Sequence, residues 1–105
     1  VIGLRDHRRK RKDRHVLVLD YGNGSVRAFS GSMDGTVRAW DLLQQASAHS
    51  QVVLEIEDGF EPISIDGVHN DSTRSWKLYV NGSRLNDRPF EVMVRKGDVT
   101  AFRYE

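Results

Sequence analysis

A chain of 105 residues with 38% hydrophobic residues is sized for one domain with one hydrophobic core. It contains no cysteine, which excludes disulfide bonds, thiolate metal sites and a cysteine nucleophile. The net charge of +1 conceals an asymmetry: residues 1–14 hold seven basic and two acidic residues, a net +5, whereas residues 15–105 hold nine basic and thirteen acidic residues, a net −4.

The basic segment at the start of the chain, residues 1–14, is predicted to be a flexible arm because it lacks hydrophobic periodicity. Three interpretations stay open: a juxtamembrane segment, contact with an anionic membrane surface at about 1 kcal/mol per basic residue, and sequence-independent contact with nucleic-acid phosphates. No specific nucleic acid is expected, because residues 15–105 carry net negative charge. The chain begins with Val1 rather than Met, so we expect a processed form or a part of a longer protein.

The first half of residues 15–105 predicts two strands and a helix. The apolar run His15–Tyr21 indicates a central strand, and Val26–Ser30 returns from it after a glycine-rich hairpin turn. A helix is predicted over about residues 36–48, with Asp34 or Thr36 as its N-cap. Its apolar stripe consists of Ala39, Trp40, Leu43 and Ala46.

The second half predicts strands separated by turns. They are Gln51–Glu57, Pro62–Ile65, Trp76–Val80, Phe90–Val94 and Thr100–Tyr104. One helix within a series of strands indicates an α+β fold, a β-grasp or ubiquitin-like mixed sheet packed on a single helix. We expect Trp40 and Leu43 to pack against a sheet in which the first and last strands are central.

One motif favours a different fold. Gly35–Asp41 has the sequence Gly-Thr-Val-Arg-Ala-Trp-Asp, which is typical of a β-propeller blade. Propeller repeats recur about every 40–45 residues, and no second Trp-Asp pair occurs here. The residues that follow are helix formers, so we reject the propeller interpretation.

Five segments carry a resemblance that extends over residues 15–105. They are Val16–Gly22, Asp34–Leu43, Pro62–Val68, Ser75–Gly82 and Val94–Tyr104. Together they resemble the transcobalamin-like C-terminal domain family, a β-grasp module of bacterial surface proteins and cobalamin carriers. The resemblance implies a β-grasp fold and a surface that covers one face of a ligand.

The candidate binding residues lie on the predicted strand Trp76–Val80 and just beyond it. In the cobalamin carriers the tryptophan of this strand lies near the ligand, so the resemblance implies a binding role for Trp76. The alternative is a core ring, since large aromatic side chains dominate small cores. Tyr79 points to the opposite face by the period-two rule and is a candidate exposed platform. The predicted ligand-binding residues are Trp76, Tyr79, Asn81, Arg84 and Leu85, with a plain turn as the alternative for Asn81.

No catalytic arrangement is recognisable, so we do not expect an enzyme. There is no Ser–His–Asp order and no glycine-rich loop that opens a helix. The four histidines lack the i, i+4 spacing of a zinc site, and we expect no metal. Asp66, His69 and Asp71 form the one loop that suggests a cation site, with a solvated acidic loop as the preferred alternative.

We therefore expect a non-catalytic binding or interaction module of an extracytoplasmic or membrane-anchored bacterial protein. It has no resident cofactor, and its partner is a small molecule or another protein domain. The resemblance implies cobalamin-like recognition. In the carriers a separate helical domain supplies most of the cage around the ligand, so this chain alone would bind cobalamin weakly. Two alternatives stay open, namely a structural spacer without a ligand and nucleic-acid association through the basic arm.

Overall fold

The computed structural model describes residues 14–58 and 60–105. In chain order its elements are β1 (His15–Asp20), β2 (Val26–Gly31), β3 (Val37–Arg38), α1 (Ala39–His49), β4 (Leu54–Glu57), β5 (Glu61–Ile65), β6 (Val68–His69), β7 (Trp76–Val80), β8 (Ser83–Leu85), β9 (Met93–Val94) and β10 (Val99–Tyr104). The predicted arm, residues 1–14, lies outside this description except for Arg14. The carbonyl of Arg14 accepts a hydrogen bond from the backbone N–H of Gly97 at 3.0 Å.

The main sheet has five strands in the order β2-β1-β10-β7-β8. The central strands β1 and β10 run parallel, and their neighbours pair with them antiparallel. Within the described residues, α1 is the single helix, and a two-stranded β3-β9 sheet and a three-stranded β4-β5-β6 sheet complete the fold. The predicted α+β class, a β-grasp mixed sheet packed on one helix, is confirmed.

The hydrophobic core lies between α1 and the inner face of the main sheet. Leu43 is fully buried and Trp40 is 8% exposed, as the apolar stripe of the helix predicts. The sheet contributes Leu19 and Phe102, which are 0% and 1% exposed and come from the two central strands. Side chains alternate across a strand, so β1 sends every second residue into this core.

The helix begins later than the sequence predicts. It starts at Ala39 rather than near residue 36, and neither Asp34 nor Thr36 caps it. Instead, a carboxylate oxygen of Asp41 accepts the backbone N–H of Arg38 at 2.8 Å. The N–H of Ala39 donates to the carbonyl of Val92 at 2.8 Å. Tertiary contacts therefore fix the helix start, and they were not visible in the local sequence.

The predicted strand Phe90–Val94 is also shorter than expected. Only Met93 and Val94 form β9, which pairs with β3. Phe90 is 39% exposed, and the N–H of Glu91 closes a turn on the carbonyl of Arg88 at 2.9 Å. The carbonyl of Val92 accepts the hydrogen bond from Ala39 at the start of the helix. This segment therefore does not join the main sheet.

A polar cluster joins the main sheet to β5 and β6. The hydroxyl of Tyr21 donates a hydrogen bond to Asp66. Nη1 of Arg27 contacts the same carboxylate at 2.9 Å, and the N–H of Val53 donates to its other oxygen at 2.9 Å. Burial raises the pKa of Asp66, but these hydrogen bonds and the Arg27 charge outweigh it and leave the pKa below its usual value. Burial and the contact with Asp66 raise the pKa of Tyr21 to about 12.

Replacing Asp66 tests whether this cluster stabilises the fold in a pH-dependent way. Asp66→Asn should lower the free energy of unfolding by about 1–3 kcal/mol at neutral pH, because hydrogen bonds to a charged group are lost. A carboxylate whose folded pKa is depressed stabilises the protein above the unfolded pKa, about 3.9, and this support is lost as the pH falls below it. Urea unfolding at pH 7 and pH 3 measures both values.

The matched control is Asp87→Asn, because Asp87 is exposed. Its free energy of unfolding should match the wild-type value at both pH values. The difference in free energy of unfolding between the wild type and Asp66→Asn should be smaller at pH 3 than at pH 7. A gap of equal size at pH 3 would contradict the role of the Asp66 charge.

Gly22 occupies a crowded turn after β1. Its φ is +73°, and a Cβ built on it would overlap Nη2 of Arg74 and the carbonyl oxygen of Tyr104. That guanidinium donates to the carbonyls of Tyr104 at 3.0 Å and Gly22 at 3.3 Å, and it lies 4.6 Å from the centre of the Tyr104 ring. Gly24 also has a positive φ, +90°, but a Cβ there would meet nothing within 4 Å.

This pair of glycines separates backbone strain from close packing. Gly24→Ala should cost only the left-handed conformation, about 1–2 kcal/mol. Gly22→Ala should cost about 1–3 kcal/mol more, because the new methyl group must displace Arg74 or the end of β10. Thermal or urea unfolding of the two variants measures the difference. Equal losses would contradict the close approach at Gly22.

Candidate functional site

Trp76, the residue that the resemblance implicates in binding, lies in the core. It is 8% exposed, and its Nε1 donates to the carbonyl of Val68 at 2.8 Å. Its ring meets Tyr21 edge-on with the centroids 5.5 Å apart, and Tyr104 lies at the same distance in a tilted arrangement. Most of the Trp76 side chain therefore belongs to the core, as the alternative interpretation states.

Tyr79 lies on the outer face of the main sheet, opposite Arg84 of β8. The guanidinium of Arg103 lies 4.5 Å from the centre of the Tyr79 ring. The Tyr79 hydroxyl donates a hydrogen bond to Glu105, and this bond, followed by burial and the Glu105 charge, raises the Tyr79 pKa. The ring is half-buried rather than an open platform, because neighbouring charged side chains already engage it.

Leu85 does not share a surface with Tyr79, which corrects the expected patch. It pairs with Leu78, which is 5% exposed, and it packs against the core. Successive residues of a strand point to opposite faces, so Arg84 and Leu85 separate across the sheet. The predicted site therefore splits between Tyr79 on the outer face and an inner group, Trp76 and Leu85, while Arg84 lies on the edge strand β8.

Asn81 serves the turn between β7 and β8. Its φ is +51°, and its side-chain oxygen accepts the N–H of Val99 at 2.9 Å. Its Nδ2 donates to Asp98 at 3.0 Å. Burial raises the pKa of Asp98, but hydrogen bonds from Arg95 and Asn81 and nearby positive charges outweigh it and lower the pKa. Both the oxygen and the nitrogen of the Asn81 side-chain amide therefore form hydrogen bonds within this turn region, which fits the turn interpretation.

A cleft of about 260 Å³ brings together the inner group and residues that the sequence did not single out. Three predicted residues line it: Trp76, Arg84 and Leu85. The remaining lining residues are Glu61, Pro62, Asn70, Ser75, Lys77, Leu78, Asn86, Asp87, Pro89 and Phe102. Asn86 and Asp87 follow β8 directly, and the polar composition of this segment was the available signal.

The cleft combines an apolar floor with a charged margin. Trp76, Leu78 and Phe102 are each at most 8% exposed. Acidic and basic residues of the lining are equal in number, so the cleft has no single sign of charge. The amide of Asn70 is already occupied, because it donates to the carbonyl of Pro62 at 3.1 Å and accepts the N–H of Trp76 at 2.8 Å.

The loop considered for a cation does not gather its side chains. Asp66 is used in the polar cluster with Arg27. Asp71 accepts the N–H groups of Thr73 and Arg74, each at 2.8 Å, and these bonds lower its pKa. Over residues 14–58 and 60–105, no group of three or more His, Asp or Glu side chains could hold a metal ion. No helix in the same residues is long and apolar enough to cross a membrane.

Comparison with known proteins shows a fold relationship without a sequence family. No protein-family model matches the chain, and no curated protein matches it. Among solved structures, the chain is similar to a "putative metal binding protein" from Ruminococcus gnavus, with a TM-score of 0.67 and 14% sequence identity. The match covers 89% of this chain and 96% of the other. At that identity the similarity shows that the two chains share a fold.

Proposed function

We propose that this chain is a non-catalytic binding module of an exported or membrane-anchored bacterial protein, and that it binds a small ligand in the cleft beside β7 and β8. The observation that carries the proposal is the lining of this cleft. Trp76, Arg84 and Leu85, chosen from the sequence for ligand binding, line one concave site with an apolar floor. Binding sites combine such an apolar body with a few polar groups that orient the ligand.

The charges at the cleft margin favour a ligand with polar groups of both kinds. Glu61 and Asp87 can accept hydrogen bonds, whereas Lys77 and Arg84 can donate them. The floor would contact the apolar part of the same molecule. A cobalamin-like ligand, which the transcobalamin-like resemblance implies, has amide side chains that suit this mixture.

The size of the cleft argues that a large ligand is bound only in part. Its volume of about 260 Å³ is below the range of about 300–1,000 Å³ that encloses drug-sized ligands. Cobalamin would therefore rest one edge in the cleft and leave the rest uncovered. Affinity should be weak until a second domain or protein covers the other side.

Three acidic side chains outside the cleft have structural rather than catalytic surroundings. A general acid or base works best with a pKa near the working pH. Asp66, Asp71 and Asp98 have pKa values shifted the other way, because each accepts hydrogen bonds that favour its charged form. We therefore propose that the chain is not an enzyme.

The name of the Ruminococcus gnavus protein raises metal binding as a second candidate. The described residues of this chain hold no conventional cluster of three ligands, so we favour an organic ligand. Titration with Zn²⁺ in the same experiment tests metal binding directly.

Cobalamin is the first probe for the cleft. Titration of the intact chain, followed by amide and indole NMR, should shift the Trp76 indole N–H with a dissociation constant on the order of 1 mM. The double variant Asn86→Ala, Asp87→Ala should weaken this binding about tenfold. Tyr79→Ala, on the outer face, is the matched control and should leave it unchanged.

Other outcomes are equally informative. Loss of binding in Tyr79→Ala alone would move the site to the outer face of the sheet. Shifts with Zn²⁺ but not with cobalamin would favour the metal candidate. No shift with either probe at several millimolar would contradict small-ligand recognition and favour a structural spacer.

The basic arm provides a separate prediction about partners. Deletion of residues 1–13 should abolish sedimentation with vesicles that contain anionic lipid, and raised salt should weaken the binding of the intact chain. The deletion keeps Arg14, whose carbonyl bonds to Gly97. Vesicles of neutral lipid are the control. Binding to anionic vesicles that survives the deletion would place the membrane contact in residues 14–105.

A further inference from the structure

The main sheet ends on one side in β2, and among the described residues no strand pairs with the far side of β2. This strand is six residues long and pairs with β1 over its whole length without a bulge. The opposite edge strand, β8, has only three residues. A long, regular edge strand is a template for pairing with another chain, and proteins commonly protect such edges by shortness, bulges, proline or lysine. β2 has none of these protections.

The backbone groups that β2 leaves free follow from the register of its hairpin. The N–H of Tyr21 donates to the carbonyl of Ser25 at 3.1 Å, so these two residues form a hydrogen-bonded pair. Such pairs occur at every second position of an antiparallel ladder, so β2 bonds to β1 through alternate residues that begin with Arg27. The residues between them direct their N–H and C=O groups to the open edge. They are Val26, Ala28 and Ser30.

An apolar groove of about 380 Å³ lies along this edge, between α1 and the strands β1 and β2. Leu17, Leu42 and Ala46 form its floor and are at most 6% exposed. Gln45 and His49 are exposed and form part of its margin. All of its lining residues differ from those of the cleft beside β7 and β8, so the two sites are independent.

The inner face of β2 contributes two residues to this groove, Phe29 and Gly31. Phe29 lies opposite Leu17 of the floor, and directly opposite residues of two strands share a face. A Cβ built on Gly31 would meet nothing within 4 Å among the described residues, and its φ lies outside the left-handed region. The backbone there does not require glycine, and the missing side chain leaves this end of the groove open.

The single charged side chain of β2 does not occupy the groove. Nη1 of Arg27 contacts Asp66 at 2.9 Å, and its Nη2 donates to the carbonyl of Ser50 at 2.9 Å. This arrangement argues against symmetric pairing of two β2 strands. A second copy would present the same engaged Arg27 and a Phe29 that already packs against its own core. The groove therefore fits a different strand, with apolar side chains that are free to enter it.

We propose that an extended segment of a partner protein adds to β2 as a further antiparallel strand and inserts apolar side chains into the groove. Its backbone pairs with the free N–H and C=O groups of β2, and its side chains provide specificity. Alternate residues of the segment face the groove beside Phe29 and Gly31, so a fitting sequence has apolar residues at positions i and i+2. Antiparallel pairing is expected because it is slightly more stable per residue than parallel pairing.

A short peptide with alternating leucines, acetyl-Lys-Thr-Leu-Thr-Leu-Thr-Lys-amide, is the probe. Titrated into the full chain and followed by amide NMR, it should bind saturably with a dissociation constant on the order of 0.1 mM. It should shift the amides of β2 and slow hydrogen exchange at Val26, Ala28 and Ser30. The control peptide acetyl-Lys-Leu-Leu-Thr-Thr-Thr-Lys-amide has the same composition without the alternation. It should bind about tenfold more weakly, because only one leucine can face the groove.

Methylation of the peptide backbone separates strand addition from simple apolar contact. In the antiparallel arrangement the threonine N–H groups face β2, whereas the leucine N–H groups point to solvent. N-methylation of the threonines should therefore abolish binding, and N-methylation of the leucines should leave it unchanged. Binding that survives methylation of either set would overturn the proposal, because it would need no backbone hydrogen bond from the peptide.

Two variants of the chain test the edge and the groove separately. Ala28→Pro removes an N–H that faces the open edge and keeps the bonds to β1, so the chain should fold and lose peptide binding. Ala28→Val keeps this N–H and is the matched control. Gly31→Leu fills the groove from the strand and should weaken binding about tenfold or more. Unchanged binding in both Ala28→Pro and Gly31→Leu would overturn the proposal. If Ala28→Pro does not fold, the methylated peptides on the wild type still decide the question.

Hydrogen exchange of the free chain tests the other possible occupants of the edge. The amides of Val26, Ala28 and Ser30 should exchange faster than those of Phe29 and Gly31, which bond to β1. Protection that is lost on deletion of residues 1–13 would show that the chain's own start covers β2. Protection that is lost on dilution would show that a second copy covers it. Either result would overturn the assignment of this edge to a partner protein.

Discussion

The parallel pairing of β1 with β10 is the constraint on which the rest of the structure depends. It joins residues 15–20 to residues 99–104, so almost the whole described chain lies in the connection between two adjacent strands. Closing such a long connection costs conformational entropy before it gains contacts. The gain comes from Leu17, Leu19 and Phe102, which the pairing places against α1 and which are at most 2% exposed.

The three-stranded β4-β5-β6 sheet is held by polar anchors as well as by the apolar packing of Ile65, which is 0% exposed. Asp66 joins β5 to the main sheet through Tyr21, Arg27 and the backbone of Val53. Arg74 ties the loop before β7 to the carbonyls beside it. Several charged residues that look chemically useful in the sequence are therefore already committed to holding the fold. Asp66, Arg27 and Arg74 do not line the cleft beside β7 and β8.

Hydrophobic periodicity predicted the main elements, and tertiary contacts set the bounds that it missed. The alternation of apolar residues in β1 and β7 and the apolar stripe of α1 depend only on which face of each element is buried. The local sequence of each element reveals that face. The start of α1 depends on the carbonyl of Val92, which no local pattern reveals. The separation of Tyr79 from Leu85 was within reach, because a two-residue turn at Asn81 and Gly82 fixes the register of the hairpin.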